Sequence, residues 1–68
     1  MITVYTWSSW VQGAGTYFDA IIPDHPEINA TARSDEQVRE LVVEAWNRGH
    51  PNDPKTVAGF AFQAPPAG

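Results

Sequence analysis

The sequence predicts an α+β fold: a small antiparallel sheet with one helix packed on one face, in the order β-β-β-α-β. Three observations predict it. β-branched and aromatic residues gather in short runs with period-two alternation, which suits half-buried strands. One window carries apolar residues at helical spacing behind an N-terminal capping signal. Clusters of Gly, Pro, Asn and Asp divide these runs, leaving each long enough for a single element.

Residues 2–12, ITVYTWSSWVQ, read as the first strand, with Ser8-Ser9 a place for a bulge. Gly13-Ala14-Gly15 is a three-residue turn whose glycines accept positive φ, so the strand over residues 16–22, TYFDAII, returns antiparallel. Alternation puts Phe18, Ala20 and Ile22 on one face and Tyr17, Asp19 and Ile21 on the other. The first strand is ambiguous, because Ile2/Val4 and Tyr5/Trp7 are both apolar pairs on opposite faces. Pro23-Asp24-His25-Pro26 ends the second strand, since proline has no N–H to donate and restricts the residue before it. Residues 28–32, INATA, alternate again and read as a short third strand with Ile28, Ala30 and Ala32 inward.

The helix follows. Ser34-Asp35-Glu36-Gln37 is a capping box, with Ser34 accepting from the Gln37 amide and Gln37 reaching back. Asp35 and Glu36 complement the positive end of the macrodipole. Val38, Leu41, Val42, Ala45 and Trp46 form one apolar stripe, and Glu44 and Arg48 a favourable i,i+4 pair. Gly49 fits the C′ position and Pro51 prevents continuation. His50 to Lys55 is a loop, residues 56–62, TVAGFAF, a fourth strand, and residues 63–68 a short flexible tail, so that one domain spans residues 1–62.

Composition bounds the function. A chain of 68 residues buries only about 60% of its unfolded surface, and without cysteine it has neither disulfides nor a thiolate metal site. Packing or self-association must supply its stability, so a homo-oligomer, most simply a dimer, is expected. The net charge of −4 disfavours direct nucleic-acid binding, since the four cations Arg33, Arg39, Arg48 and Lys55 are scattered. Neither a signal peptide nor an apolar run of membrane-spanning length is present, which makes a cytoplasmic protein with no membrane partner the simplest expectation.

No constellation points to catalysis or to a cofactor. Asp24, His25 and Glu27, with His50 and Asp53, are potential metal ligands, but prolines at 26 and 51 make them turn residues first. Ser8 or Ser9, His25 and Asp19 form a nucleophilic set on paper only, with no oxyanion loop to accompany it. A non-enzymatic protein without metal or cofactor is therefore expected. One helix covers one face, which leaves the other open. Tyr5, Trp7, Trp10, Tyr17 and Ile21 are the candidate protein interface, with edge pairing of the terminal strands a further means of association.

From Ile22 to Val38 the chain reads I-P-D-H-P-E-I-N-A-T-A-R-S-D-E-Q-V. This resembles the HicB-type antitoxin domain, whose pattern is a strand ending in an apolar residue, Pro-Asp-x-Pro, then a short strand, a capping Thr and an acidic helical turn. Ile22, Pro23, Asp24 and Pro26 stand at the first positions, Ser34 at the cap and Asp35-Glu36-Gln37 at the acidic turn. His25 replaces the usual Leu and Glu27 the usual Gly. The likeness covers about residues 2–62 and implies the partner-binding half of such a protein, without the DNA-binding domain that commonly follows it. It implies an antitoxin-like role, sequestering a small partner such as a basic ribonuclease toxin, which an acidic surface would steer. The alternative is a small phage-type protein of HicB-like fold that modulates a host factor and has no cognate toxin.

Overall fold

A computed structural model describes residues 1–67; Gly68, the end of the expected tail, lies outside the described residues. The chain forms β1 (Ile2–Val11), β2 (Gly15–Ile22), β3 (His25–Ala32), α1 (Asp35–Gly49), a short 3-10 turn (Val57–Gly59) and β4 (Phe60–Gln63). The strands make one four-stranded sheet in the order β3-β2-β1-β4, with α1 against one face. The predicted element order and the single helix layer are present.

The sheet is mixed where an antiparallel one was expected. β1, β2 and β3 are successive antiparallel neighbours, whereas β4 pairs parallel to β1, with Ile2 opposite Phe60 and Tyr5 opposite Gln63. The reason is the single helix. After β3 the chain crosses the sheet once through α1, so the next strand must run in the direction of β3, which is also that of β1. It joins the sheet at the β1 edge, beside the strand that starts the chain.

Local chemistry sets the boundaries. The first hairpin closes through the turn Val11–Ala14, with the Ala14 N–H donating to the Val11 carbonyl at 3.0 Å. Gly13 has φ of 85° at its third position, a conformation a side chain would strain. Pro23 and Asp24 alone connect β2 to β3, so β3 starts at His25, three residues before the expected Ile28. Pro26 is tolerated because β3 is an edge strand whose register slips beside it, between Ile21 and Ile22. The fourth strand is shorter than predicted. Residues 57–59 turn, with the Gly59 N–H donating to the Thr56 carbonyl at 2.9 Å, before Phe60 reaches its partner Ile2. Gln63, expected in the tail, still pairs with Tyr5.

At the helix start the Gln37 N–H donates to Ser34 Oγ at 3.1 Å, as the capping signal predicts. The helix end differs. Gly49 is the last helical residue rather than C′, and His50 caps the helix with its N–H donating to the Trp46 carbonyl at 2.8 Å. Pro51 forces its predecessor out of the α region, and the His50 ring gains a face on Trp46. The helical ion pair is Asp35–Arg39, at 2.9 Å, rather than the expected Glu44–Arg48.

The core lies between the sheet and α1. Val4, Ile22, Val38 and Val42 are fully buried at its centre, surrounded by Ala20, Ile28, Ala32, Trp46 and Phe60. Leu41 and Ala45 of the stripe are only partly buried at its border. Burial of Val4 resolves the ambiguity of the first strand: Ile2 and Val4 face the helix, so Tyr5 and Trp7 face away. The loop after α1 is tied to it. Trp46 Nε1 donates to the Asp53 carbonyl at 2.9 Å, Asn47 Nδ2 to the Lys55 carbonyl at 2.9 Å, and the Lys55 N–H to Asn47 Oδ1 at 2.7 Å.

Candidate functional site: the open face of the sheet

Strand alternation builds this surface without any contribution from the helix. β1 presents Tyr5, Trp7, Ser9 and Val11 to it, and the register sets Tyr5 opposite Ile21, Trp7 opposite Asp19 and Ser9 opposite Tyr17. β3 continues the rows, with Asn29 opposite Ile21 and Thr31 opposite Asp19. Trp7, Asp19, Ile21, Asn29 and Thr31 line a shallow depression of about 200 Å³. Cross-strand neighbours this close interact directly, so the residues act as one surface.

Asp19 is its electrostatic centre. Thr31 Oγ1 donates to Asp19 Oδ1 at 2.7 Å, and Ser9 Oγ donates to Asp19 Oδ2 at 3.3 Å. One hydroxyl on each oxygen orients the carboxylate and leaves further lone pairs free. Among the described residues no cation pairs with it. Arg33 lies nearer the hairpin tip, its guanidinium 4.5 Å from the centre of the Tyr17 ring and its Nη2 donating to the Ala14 carbonyl at 2.6 Å. That arginine anchors the hairpin against the end of β3, a role that sequence inspection did not assign.

Of the five predicted interface residues, Tyr5, Trp7, Tyr17 and Ile21 share the open face. Trp10 does not. It stands opposite Thr16, on the helix side of the sheet, where nothing covers it and 71% of its surface is exposed. Trp7 and Trp10 are three residues apart, and period two sends an odd separation to opposite faces. The signal was present in the spacing. Nor is β1 a full edge strand, since β2 flanks Tyr5–Val11 and β4 covers Ile2–Tyr5 on the other side.

A second cluster forms at the helix C-terminus, where the sequence suggested only turn residues. His50 stacks on Trp46 with ring centres 3.8 Å apart, and His25 meets Trp46 edge-on at 5.3 Å and His50 at 5.5 Å. His25 belongs to β3 and helps seal the core beside Phe60, whose ring lies 6.0 Å from that of Trp46. A cavity of about 410 Å³ opens next to it, lined by Glu27, Ile28, Ala45, Arg48, Gly49 and His50. The cluster is held by the fold: His50 Nδ1 lies 3.1 Å from the Trp46 carbonyl. Among the described residues no group of three or more His, Cys, Asp or Glu is placed to hold a metal ion. Ser9 and Asp19 meet on the open face while His25 contacts the core from the other, so the nucleophilic set is not assembled. No described helix is long and apolar enough to cross a membrane.

Comparison of the chain with protein-family models, with curated proteins and with solved structures finds no match.

Proposed function

We propose that this chain is a non-enzymatic protein-binding module, antitoxin-like in the manner of the HicB-type domain it resembles, which acts as a homodimer and sequesters a small basic partner. The observation that carries the reading is the uncovered sheet face, where Tyr5, Trp7, Tyr17 and Ile21 surround an oriented carboxylate that no cation among the described residues pairs with. Aromatic side chains around a charged group are the composition of an interface hot spot. A lysine or arginine of the partner fits between Asp19 and the Trp7 indole, gaining a charge-assisted hydrogen bond from one and a cation–π contact from the other. The net charge of −4 would speed encounter with a basic protein and repel acidic ones. A ribonuclease toxin is the most concrete partner of that description.

The test is capture from the native host with tagged wild type, Asp19→Asn and Trp7→Arg, followed by affinity measurement on the protein recovered. The expected result is one small basic protein bound by wild type and about 30-fold or more weakened by either substitution, the scale of a hot-spot residue. Recovery of an acidic protein, or equal binding by all three forms, would remove the basis for this reading. A host enzyme recovered in place of a toxin favours the phage-type alternative.

A further inference from the structure

β1 is ten residues long, yet β4 pairs only with Ile2–Tyr5. Along Thr6–Val11 the outer side of β1 therefore has no ladder partner among the described residues. The overhang follows from length: a ten-residue strand reaches about 33 Å and a fifteen-residue helix about 22 Å, so the hairpin projects past the helix. Every residue from Trp7 to Val11 is exposed.

Exposed edges are ordinarily blunted by lysine, proline, charge or bulges. The opposite edge of this sheet has them: β3 carries Pro26 and Glu27 next to a register slip. Thr6–Val11, T-W-S-S-W-V, has none. Apart from Met1 and Val57, the large exposed apolar residues among the described residues are Trp7, Trp10 and Val11, all in this segment. They project to both sides of the sheet, Trp7 and Val11 to the open face and Trp10 to the other. A partner seated on either face shelters one set only. A strand laid along the edge shelters both.

We infer that this edge is the self-association surface: Thr6–Val11 pairs antiparallel with the same segment of a second copy. Charge selects that occupant. No residue from Ile2 to Phe18 is charged, while the whole chain carries −4. Two copies repel least where both edge strands are neutral, and a basic partner finds no charge along the edge itself, the nearest being Asp19 one strand in, on the open face. Symmetry then restricts the register. The two-fold axis of an antiparallel pair stands perpendicular to the sheet and joins residues of equal parity. With Ser8 on the axis, Trp7 faces the second copy's Ser9 and Trp10 its Thr6. With Ser9 on the axis, Trp7 faces Val11 and Trp10 faces Ser8. Each indole meets a smaller side chain in both registers, so the rings pack without collision. Pairing makes one eight-stranded sheet, puts both helices on one side and merges the two open faces. The inference deepens the homodimer proposed above; Trp7 stands where the two surfaces meet, and Tyr5, Asp19, Tyr17 and Ile21 of the partner face stay unoccupied.

The exposed parts of the three apolar side chains amount to roughly 300–400 Å² per copy, taking about 250 Å² for a whole Trp. Both copies together fall below the ~1,200 Å² of stable interfaces, which makes the dimer a concentration-dependent one. Sedimentation equilibrium from about 1 µM to 1 mM tests it. Wild type should rise from the 7.5 kDa monomer toward twice that mass. Trp10→Arg should remain monomeric to concentrations at least about tenfold higher, the effect of losing one buried anchor. Ile21→Arg, on the open face away from the edge, should dimerise as wild type does. Circular dichroism confirms that each variant is folded. A wild type monomeric throughout overturns the inference, as does a dimer lost in Ile21→Arg but kept in Trp10→Arg. Partner capture by a monomer would overturn the edge pairing alone; a dimer that captures nothing would overturn the partner reading alone.

Discussion

Replacing Trp46 with Ala should remove much of the stability of this domain. A chain of 68 residues has a total of about 3–10 kcal/mol to lose. The ring is 4% exposed, stacked on His50 at 3.8 Å, met edge-on by His25 and Phe60, and bonded through Nε1 to the Asp53 carbonyl. Truncating a buried Trp to Ala costs about 3–5 kcal/mol, so the variant should be marginal or unfolded at room temperature. Phe at the same position keeps most of the packing but loses the indole hydrogen bond, worth about 0.5–1.5 kcal/mol, and some ring area. It should cost about 1–2 kcal/mol in all, an apparent melting shift of roughly 5–15 °C for a domain this small. Urea unfolding followed by far-ultraviolet circular dichroism is the assay, since the substitution removes one of the three tryptophans on which fluorescence depends. A Trp46→Ala protein within about 1 kcal/mol of wild type, at unchanged urea dependence, would refute the claim that this ring joins helix, sheet and loop.

Three further substitutions probe the termini and turns. Ser34→Ala removes the acceptor of the Gln37 N–H and should destabilise by about 1 kcal/mol, read from a thermal melt of the helical signal. Gly13→Ala imposes a side chain on a φ of 85° and should cost about 1–2 kcal/mol in urea unfolding, although no atom obstructs the added methyl. Gly49→Ala should stabilise by about 0.5–1 kcal/mol, because Gly49 is helical and its Cβ would meet nothing within 4 Å. A loss of stability there would restore Gly49 to the left-handed C′ position that its sequence context suggests.

Elements whose cause is local were legible in the residues. The helix follows from Ser34 and its apolar stripe, the first hairpin from Gly13-Ala14-Gly15, and the inward face of β2 from the alternation of Phe18, Ala20 and Ile22. These signals are read within a few residues of the chain, so no distant contact is needed to interpret them. The open face was legible in part: Tyr17 and Ile21 by parity within β2, whereas parity within β1 grouped Tyr5 with Trp7 without saying which face they take. Trp10, three residues from Trp7, falls on the opposite face by the same parity.

What remained depends on neighbours remote in sequence. Two apolar pairs in β1 satisfy the alternation equally, and only the helix, arriving from residues 35–49, buries Val4 and exposes Trp7. The parallel pairing of β4 comes from the crossover. Its short length, which leaves half of β1 without a partner, comes from the 3-10 turn that delays it. His25 and His50, read separately as turn residues, meet because β3 begins beneath the end of α1 and Trp46 offers both a ring. The sequence by itself determined the element order, the helix with its cap and the two faces of β2, since period and capping are properties of adjacent residues. The tertiary structure alone decided the free edge, the histidine cluster and the setting of Asp19 between Ser9 and Thr31, since each requires strands brought together across ten or more residues of chain.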